Sequence, residues 1–321
     1  MICPKKEPVS KINEHIPDDL AFICFASFEA RCYTIAQNID ISRIRKAYVF
    51  RNTDSPMDVY NKDNLRILCT ALQDASVKEI SLNTPSSVAD QLFYTIKEIV
   101  NSAIRDVMID ISSFTHEALL MLLRTLFTYR MSFNSINLVY NGASNYSEWL
   151  SKGCKDIRNV IGYPGFFNPS YKDHMIILTG FEKERATQLV ALFEPDILSI
   201  GNGCEPTDDN HLGTMCAMRD EFVSWFSNLG TEWTSFEFSC SNISSTIEKI
   251  EAEIQKGDNE NIVLVPLNTK LSTIAVALIS LRNEKIQVVY PIPEIYNPEY
   301  SIPSENVTII DLCNIAEFVN E

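Results

Sequence analysis

The chain has no Cys-x-x-Cys pair, no G-x-G-x-x-G loop, no phosphate-loop lysine motif, no G-x-S-x-G elbow and no H-E-x-x-H. Those absences argue in turn against a zinc ribbon, a dinucleotide fingerprint, a nucleoside-triphosphate loop, a serine-hydrolase elbow and a zinc protease. Basic residues are scarce beside acidic ones, 27 Lys and Arg against 42 Asp and Glu, for a net charge of −15. Such a chain repels polyanions, so long DNA or RNA is not an expected partner. A small anion remains compatible, because a pocket's field is set by its own walls. No apolar run approaches membrane-spanning length. The N-terminal stretch MICPKKEPVSKINEHIP lacks the apolar core of a signal peptide. The nine cysteines are scattered, several within apolar runs, as free thiols of a reducing compartment would be. The expectation is a soluble cytoplasmic protein with no membrane partner, no metal and no cofactor.

What the chain does have is internal repetition. Leu20–Arg31 reads LAFICFASFEAR, and Met175–Arg185 reads MIILTGFEKER. Each is an apolar run, a small residue, Phe-Glu and then a basic residue opening a helix. Asp106–Leu123 (DVMIDISSFTHEALLMLL) is echoed by Ile262–Ile279 (IVLVPLNTKLSTIAVALI), and Asn137–Tyr140 by Gln287–Tyr290. A repeat of about 150 residues has to be settled before any fold is assigned.

Strand and helix signals alternate in both halves. In the first, unbroken apolar or β-branched runs predict strands at 20–26, 46–51, 79–82, 107–111 and 136–140. Helical spacing predicts helices at 29–39, 56–75, 86–101 and 115–129. In the second, strands are predicted at 175–179, 197–200, 235–239, 262–266 and 286–290, with helices at 183–193, 211–229, 244–255 and 272–282. Residues 145–160 read as one extra helix, the Gly- and Pro-rich stretch 162–170 as a linker, and 307–310 as a last strand before a short helix. The predicted class is α/β, with two tandem Rossmann-like, doubly wound parallel sheets related by internal duplication. The expected domains are residues 1–161 and 171–321.

In such sheets ligands bind beyond the carboxyl ends of the strands, where strand order reverses. The candidate loops therefore follow strands one and four. After strand one stand Ser27, Glu29 and Arg31 in the first half, and Gly180, Glu182 and Arg185 in the second. A small residue before a helix start leaves free N–H groups for an anion, and an arginine can reach a phosphate bidentately. The competing reading makes Phe28 and Phe181 core plugs, and makes Glu29 and Glu182 complements to the positive helix end. After strand four stand Asp110, Ser112 and Ser113, and then Asn268, Thr269 and Lys270. Short donors at a helix N-terminus suit a phosphate or ribose, whereas capping by Ser113, Thr269 or Ser272 accounts for one hydroxyl per loop. Asp110 either holds a ribose hydroxyl, acts as a base, or only accepts hydrogen bonds from loop amides. His116 and His211 are weaker candidates. No residue is assigned a catalytic role.

The Leu267-Asn268-Thr269-Lys270 loop and its repeat resemble the CRISPR-associated Rossmann-fold sensors and their relatives in antiphage defence. In that family the strand-four loop is a Gly-Gly-Thr-Lys-like turn that helps bind a cyclic oligonucleotide. Thr269 and Lys270 match its last two positions, Leu267 and Asn268 replace the glycines, and Ser112-Ser113-Phe114 lacks the lysine. The resemblance implies a pseudo-dimer within one chain, a small nucleotide ligand and, with no nuclease portion in this chain, a separate effector protein. It implies a regulatory or sensor component of a bacterial defence system. The alternatives are an enzyme acting on a nucleotide, of phosphodiesterase or nucleosidase type, and a scaffold subunit with vestigial pockets.

Overall fold

A computed structural model describes residues 2, 4–181, 183–206, 211–227, 232–299 and 301–312. From the N-terminus the chain runs through β1 (Lys5–Pro8), β2 (Leu20–Ala26), α1 (Arg31–Thr34), β3 (Ile44–Asn52), α2 (Asp58–Leu72), β4 (Ser76–Ile80) and α3 (Pro85–Asn101). There follow β5 (Asp106–Asp110), α4 (His116–Thr128), β6 (Ser135–Tyr140) and β7 (Ala143–Tyr146). It continues with β8 (Ser151–Lys152), β9 (Asp156–Pro164), β10 (Lys172–Thr179), α5 (Lys183–Phe193), β11 (Ile197–Cys204) and α6 (Leu212–Phe226). Next are β12 (Glu232–Ser239), α7 (Ile243–Ile254), β13 (Glu260–Pro266), α8 (Lys270–Arg282), β14 (Gln287–Ile292), β15 (Ile295–Tyr296), β16 (Ser301–Pro303) and β17 (Asn306–Asp311).

The result is a mixed α/β protein with two compact units. The first takes residues 2–146 together with the chain from 298 onward, and the second takes 147–297. The first unit holds a seven-stranded sheet in the order β1-β17-β6-β5-β2-β3-β4. Its run β6-β5-β2-β3-β4 is parallel throughout, and β17 and β1 are antiparallel additions beside β6. The second unit holds a six-stranded sheet, β12-β11-β10-β13-β14-β9, in which the first five strands are parallel and β9 is antiparallel. In each sheet the five parallel strands lie in the order third, second, first, fourth, fifth. The reversal of order falls between β2 and β5, and between β10 and β13.

The central strands are apolar without interruption because both of their faces are covered. Every residue of β2, LAFICFA, is buried. Amphipathic helices cover the sheets. On α3 the buried positions Val88, Leu92, Ile96 and Ile99 recur at three- and four-residue spacing, and Pro85 opens the helix at its first turn. Helix α8 is buried from Leu271 to Leu281.

Several expectations change. Residues 145–160 are not a helix but the strands β7, β8 and β9. Their partners lie about 150 residues away in β16, β15 and β14, and tertiary pairing overrides the local pattern. Gly162 to Pro164 belong to β9, so the link into β10 begins only at Gly165. The expected last strand, now β17, does not complete the second half: it inserts between β1 and β6 of the first sheet. The expected helix at 29–39 is assigned only from Arg31 to Thr34. The end of the helix expected at 211–229 and the short helix at the C-terminus fall outside the described residues.

Candidate functional site

In both units the loops after the first and fourth parallel strands meet at the reversal of strand order. In the first unit Ser113 Oγ donates to the Phe25 carbonyl at 2.6 Å, joining the strand-four loop to the end of β2. In the second, Asn268 Nδ2 donates to the Thr179 carbonyl at 2.5 Å. Gly180 lies so close to this loop that a Cβ there would fall 2.1 Å from the Leu267 carbonyl oxygen. Only glycine fits that approach. The same cap opens both following helices. Thr115 accepts the Ala118 N–H at 3.2 Å, and Thr269 accepts the Ser272 N–H at 3.3 Å. This cap places His116 and Lys270 at equivalent first positions of α4 and α8.

The two arginines are also matched. Arg31 donates through Nη1 to the Asn141 carbonyl at 3.2 Å, just past β6. Arg185 donates through Nη1 to the Pro291 carbonyl at 3.1 Å and to the Tyr290 hydroxyl at 3.2 Å. In each unit the helix after the central strand is thus pinned to the backbone that follows Tyr140 or Tyr290. Both arginines are buried. Arg31 also donates through Nε to Glu29 at 2.9 Å, and the same Glu29 oxygen accepts from Ser301 Oγ at 2.7 Å. Arg31 and Arg185 therefore serve as anchors inside their own units. Phe28 and Phe181 are only partly buried rather than full core plugs. Glu182 lies outside the described residues.

The two strand-four loops differ in access. Asp110 to Phe114 are all buried, whereas Asn268, Thr269 and Lys270 are partly exposed. Ser112 and Ser113 are committed internally, since Ser112 Oγ accepts the Asn141 N–H at 2.8 Å and Ser113 holds Phe25. Ser27 contributes its carbonyl, which accepts from Asn64 Nδ2 at 2.7 Å. Asp110 accepts the Ser112 N–H on Oδ1 at 2.9 Å, while its buried Oδ2 has no hydrogen-bond partner. Burial pushes this carboxyl up to about 7, against the pull of the Ser112 hydrogen bonds and the Arg31 charge. Burial likewise pushes the Cys32 and Cys240 thiols up to about 12, which removes both as nucleophiles at neutral pH.

A second polar cluster escaped sequence reasoning. His174, at the start of β10, sets Nδ1 2.6 Å from Glu260 Oε2 and Nε2 2.9 Å from Ser199 Oγ. Ser199 Oγ donates to Glu253 Oε2 at 3.1 Å, and Lys256 pairs with Glu253. The order Glu-His-Ser has the form of a catalytic triad, but Ser199 is 1 % exposed and its hydroxyl is committed to Glu253. It works as a clamp tying β10, β11, β13 and α7. The available signal was a histidine adjoining the apolar run Met175–Leu178 and a serine within the run Ile197–Ile200. A cavity of about 160 Å³ at the amino ends of these strands, lined by Phe166, Phe167, Met175 and Phe193 among others, holds none of the predicted site residues.

Among the described residues no group of three or more His, Cys, Asp or Glu is placed to hold a metal. Nor is any helix among them long and apolar enough to cross a membrane. No protein-family model matches this chain, and no curated protein matches it.

Proposed function

We propose that this chain is a regulatory or sensor component of a bacterial antiphage defence system, built from two Rossmann-like units that arose by internal duplication. In this reading it binds a small nucleotide-type anion through the loops after strands one and four, and passes its output to a separate effector protein. Duplication is supported by the shared strand order, the matched Thr115 and Thr269 caps, and the matched Arg31 and Arg185 anchors. The observation that carries the ligand reading is the asymmetry of the two strand-four loops. The first is sealed, and the second leaves Asn268, Thr269 and Lys270 accessible at the N-terminus of α8, a 13-residue helix, beside the close approach at Gly180. A helix N-terminus with a lysine on its first turn favours a negative ligand. Of the sites predicted in duplicate, the second unit's is then the working one.

An enzymatic reading in which Asp110, Ser112 and Ser113 act on the ligand is less well supported, because both serine hydroxyls are spent on the fold. Lys270→Ala is expected to abolish biological function while leaving the melting temperature within a few degrees of wild type. Removing a lysine from a positive helix end relieves about 0.3–1 kcal/mol at most. Full activity in the variant, measured alongside melting temperature, would move the scaffold reading ahead.

A further inference from the structure

The cavity at the amino ends of β10 and β13, in the second unit, shares no residue with the candidate loops. Its floor comes from two neighbouring strands. Asp173 and Met175 of β10 lie two residues apart, on one face of the sheet, and their register partners Asn261 and Val263 of β13 lie on that same face. Its wall comes from the link into β10, which carries Phe166 and Phe167, and from Phe193 at the end of α5. Phe166 and Phe167 are adjacent in the chain and 63 % and 65 % exposed, a costly pair to leave in water.

The segment that carries these two rings is fixed at both ends. Gly165 has φ of +65°, and a Cβ there would fall 2.6 Å from the Gln287 backbone nitrogen, so only glycine brings the chain this close to β14. The Phe166 N–H donates to the Lys285 carbonyl at 3.0 Å. Beyond the rings, Asn261 grips Asn168. Its Oδ1 accepts the Asn168 N–H at 2.8 Å, and its Nδ2 donates to the Asn168 carbonyl at 3.0 Å. The same Nδ2 donates to Asp173 Oδ1 at 2.8 Å. Asn261 is 5 % exposed, so one buried amide positions both the aromatic segment and the carboxylate.

Asp173 is the only charged residue lining the cavity, and its carboxylate accepts from an amide rather than from a cation. With it stand three phenylalanines, whose ring faces carry partial negative charge, and Met175, a polarizable thioether. No cationic side chain lines the cavity, so an anion finds no partner there. Its volume of about 160 Å³ suits a group of benzene size. We propose that this cavity binds a small organic cation, with a methylated ammonium head held by the phenylalanines and Asp173. The aromatic residues supply contact area, and the single carboxylate sets the sign of the charge. The site does not rest on any nucleotide ligand, because the strand-four loops lie at the opposite ends of the strands.

Calorimetric titration of the full-length protein tests it, with choline set against its uncharged isostere 3,3-dimethylbutan-1-ol. The wild-type protein is expected to bind choline about tenfold or more tightly than the isostere. Asp173→Asn keeps an oxygen for Asn261 and removes the charge, so this preference should fall to about twofold or less. Phe167→Leu replaces an exposed ring and leaves the buried core untouched. It should weaken choline binding by about fivefold or more, with the isostere little changed. The amide of trimethyllysine carries the same head on a side chain: tighter binding of it than of choline assigns the cation to a protein partner, and the reverse to a free molecule. Equal affinity for choline and the isostere in the wild type, no binding of either cation, or the full preference retained in both variants would overturn the proposal.

Discussion

Replacing His174 with leucine is expected to cost the protein about 3–5 kcal/mol of folding stability. The ring is 2 % exposed, and it bridges Glu260 at 2.6 Å and Ser199 at 2.9 Å. Its loss takes from the Glu260 carboxylate its ring partner beside the packed strands β10, β11 and β13, while Ser199 keeps Glu253 and Thr234. A buried charge without its partner is among the few single changes that reach this size. Ser199→Ala should cost less, about 1–3 kcal/mol, since it removes one hydrogen-bonded hydroxyl and leaves the contact between His174 Nδ1 and Glu260 in place. Urea unfolding of both variants gives the comparison. A nucleophilic Ser199 requires the opposite pattern, with Ser199→Ala losing function at full stability. A loss below about 1 kcal/mol in His174→Leu would show that the cluster is not a clamp.

Asp110→Asn is expected to stabilise the first unit in mildly alkaline solution. Asp110 is fully buried, with Oδ2 unpartnered, and its carboxyl is pushed from 3.8 to about 7. Between those two values the folded chain holds a proton that the unfolded chain has released. Stability from this group is therefore fully present below about pH 4 and declines as pH rises, until the whole penalty is felt above about pH 7. At about 1.4 kcal/mol for each pH unit the full span is on the order of 4 kcal/mol. Asparagine keeps an oxygen for the Ser112 N–H and does not titrate. The variant should lie above wild type at pH 8, with the gap closing or reversing at pH 5. Urea midpoints at the two values measure it, and a parallel pH dependence in both proteins would show that Asp110 is not the titrating group.

The central strands of each unit were legible because a strand covered on both faces carries an unbroken apolar run, as Leu20–Ala26 of β2 and Met175–Leu178 of β10 do. The short strands β7 and β8 were not legible. Residues 143–152 carry Ser, Asn, Glu and Lys among scattered apolar residues with no decisive period, and their structure is set by partners about 150 residues away. For the same reason β17 could not be assigned to the first sheet, since nothing local distinguishes a strand that stays with its own repeat from one that is exchanged. The loops of the candidate site were legible from their repetition. What repetition could not separate was structural use from functional use. Arg31 and Arg185 recur because each pins a helix to a carbonyl beyond the fifth strand, and Ser112 and Ser113 tie their loop into the sheet. The His174 clamp went unseen because its members are spread across three strands and a helix, from residue 174 to 260.

The most direct measurement is a thermal-shift titration of the full-length protein and of Lys270→Ala with mononucleotides, linear dinucleotides and cyclic oligonucleotides. Ligand that binds only the folded state at about 100 times its Kd adds about 2.7 kcal/mol, which raises the melting temperature by several degrees. The account predicts such a rise for at least one nucleotide-type anion with the wild-type protein, and its loss in Lys270→Ala. Equal shifts in both proteins, or no shift with any of these anions, would contradict a nucleotide site at the second unit's strand-four loop.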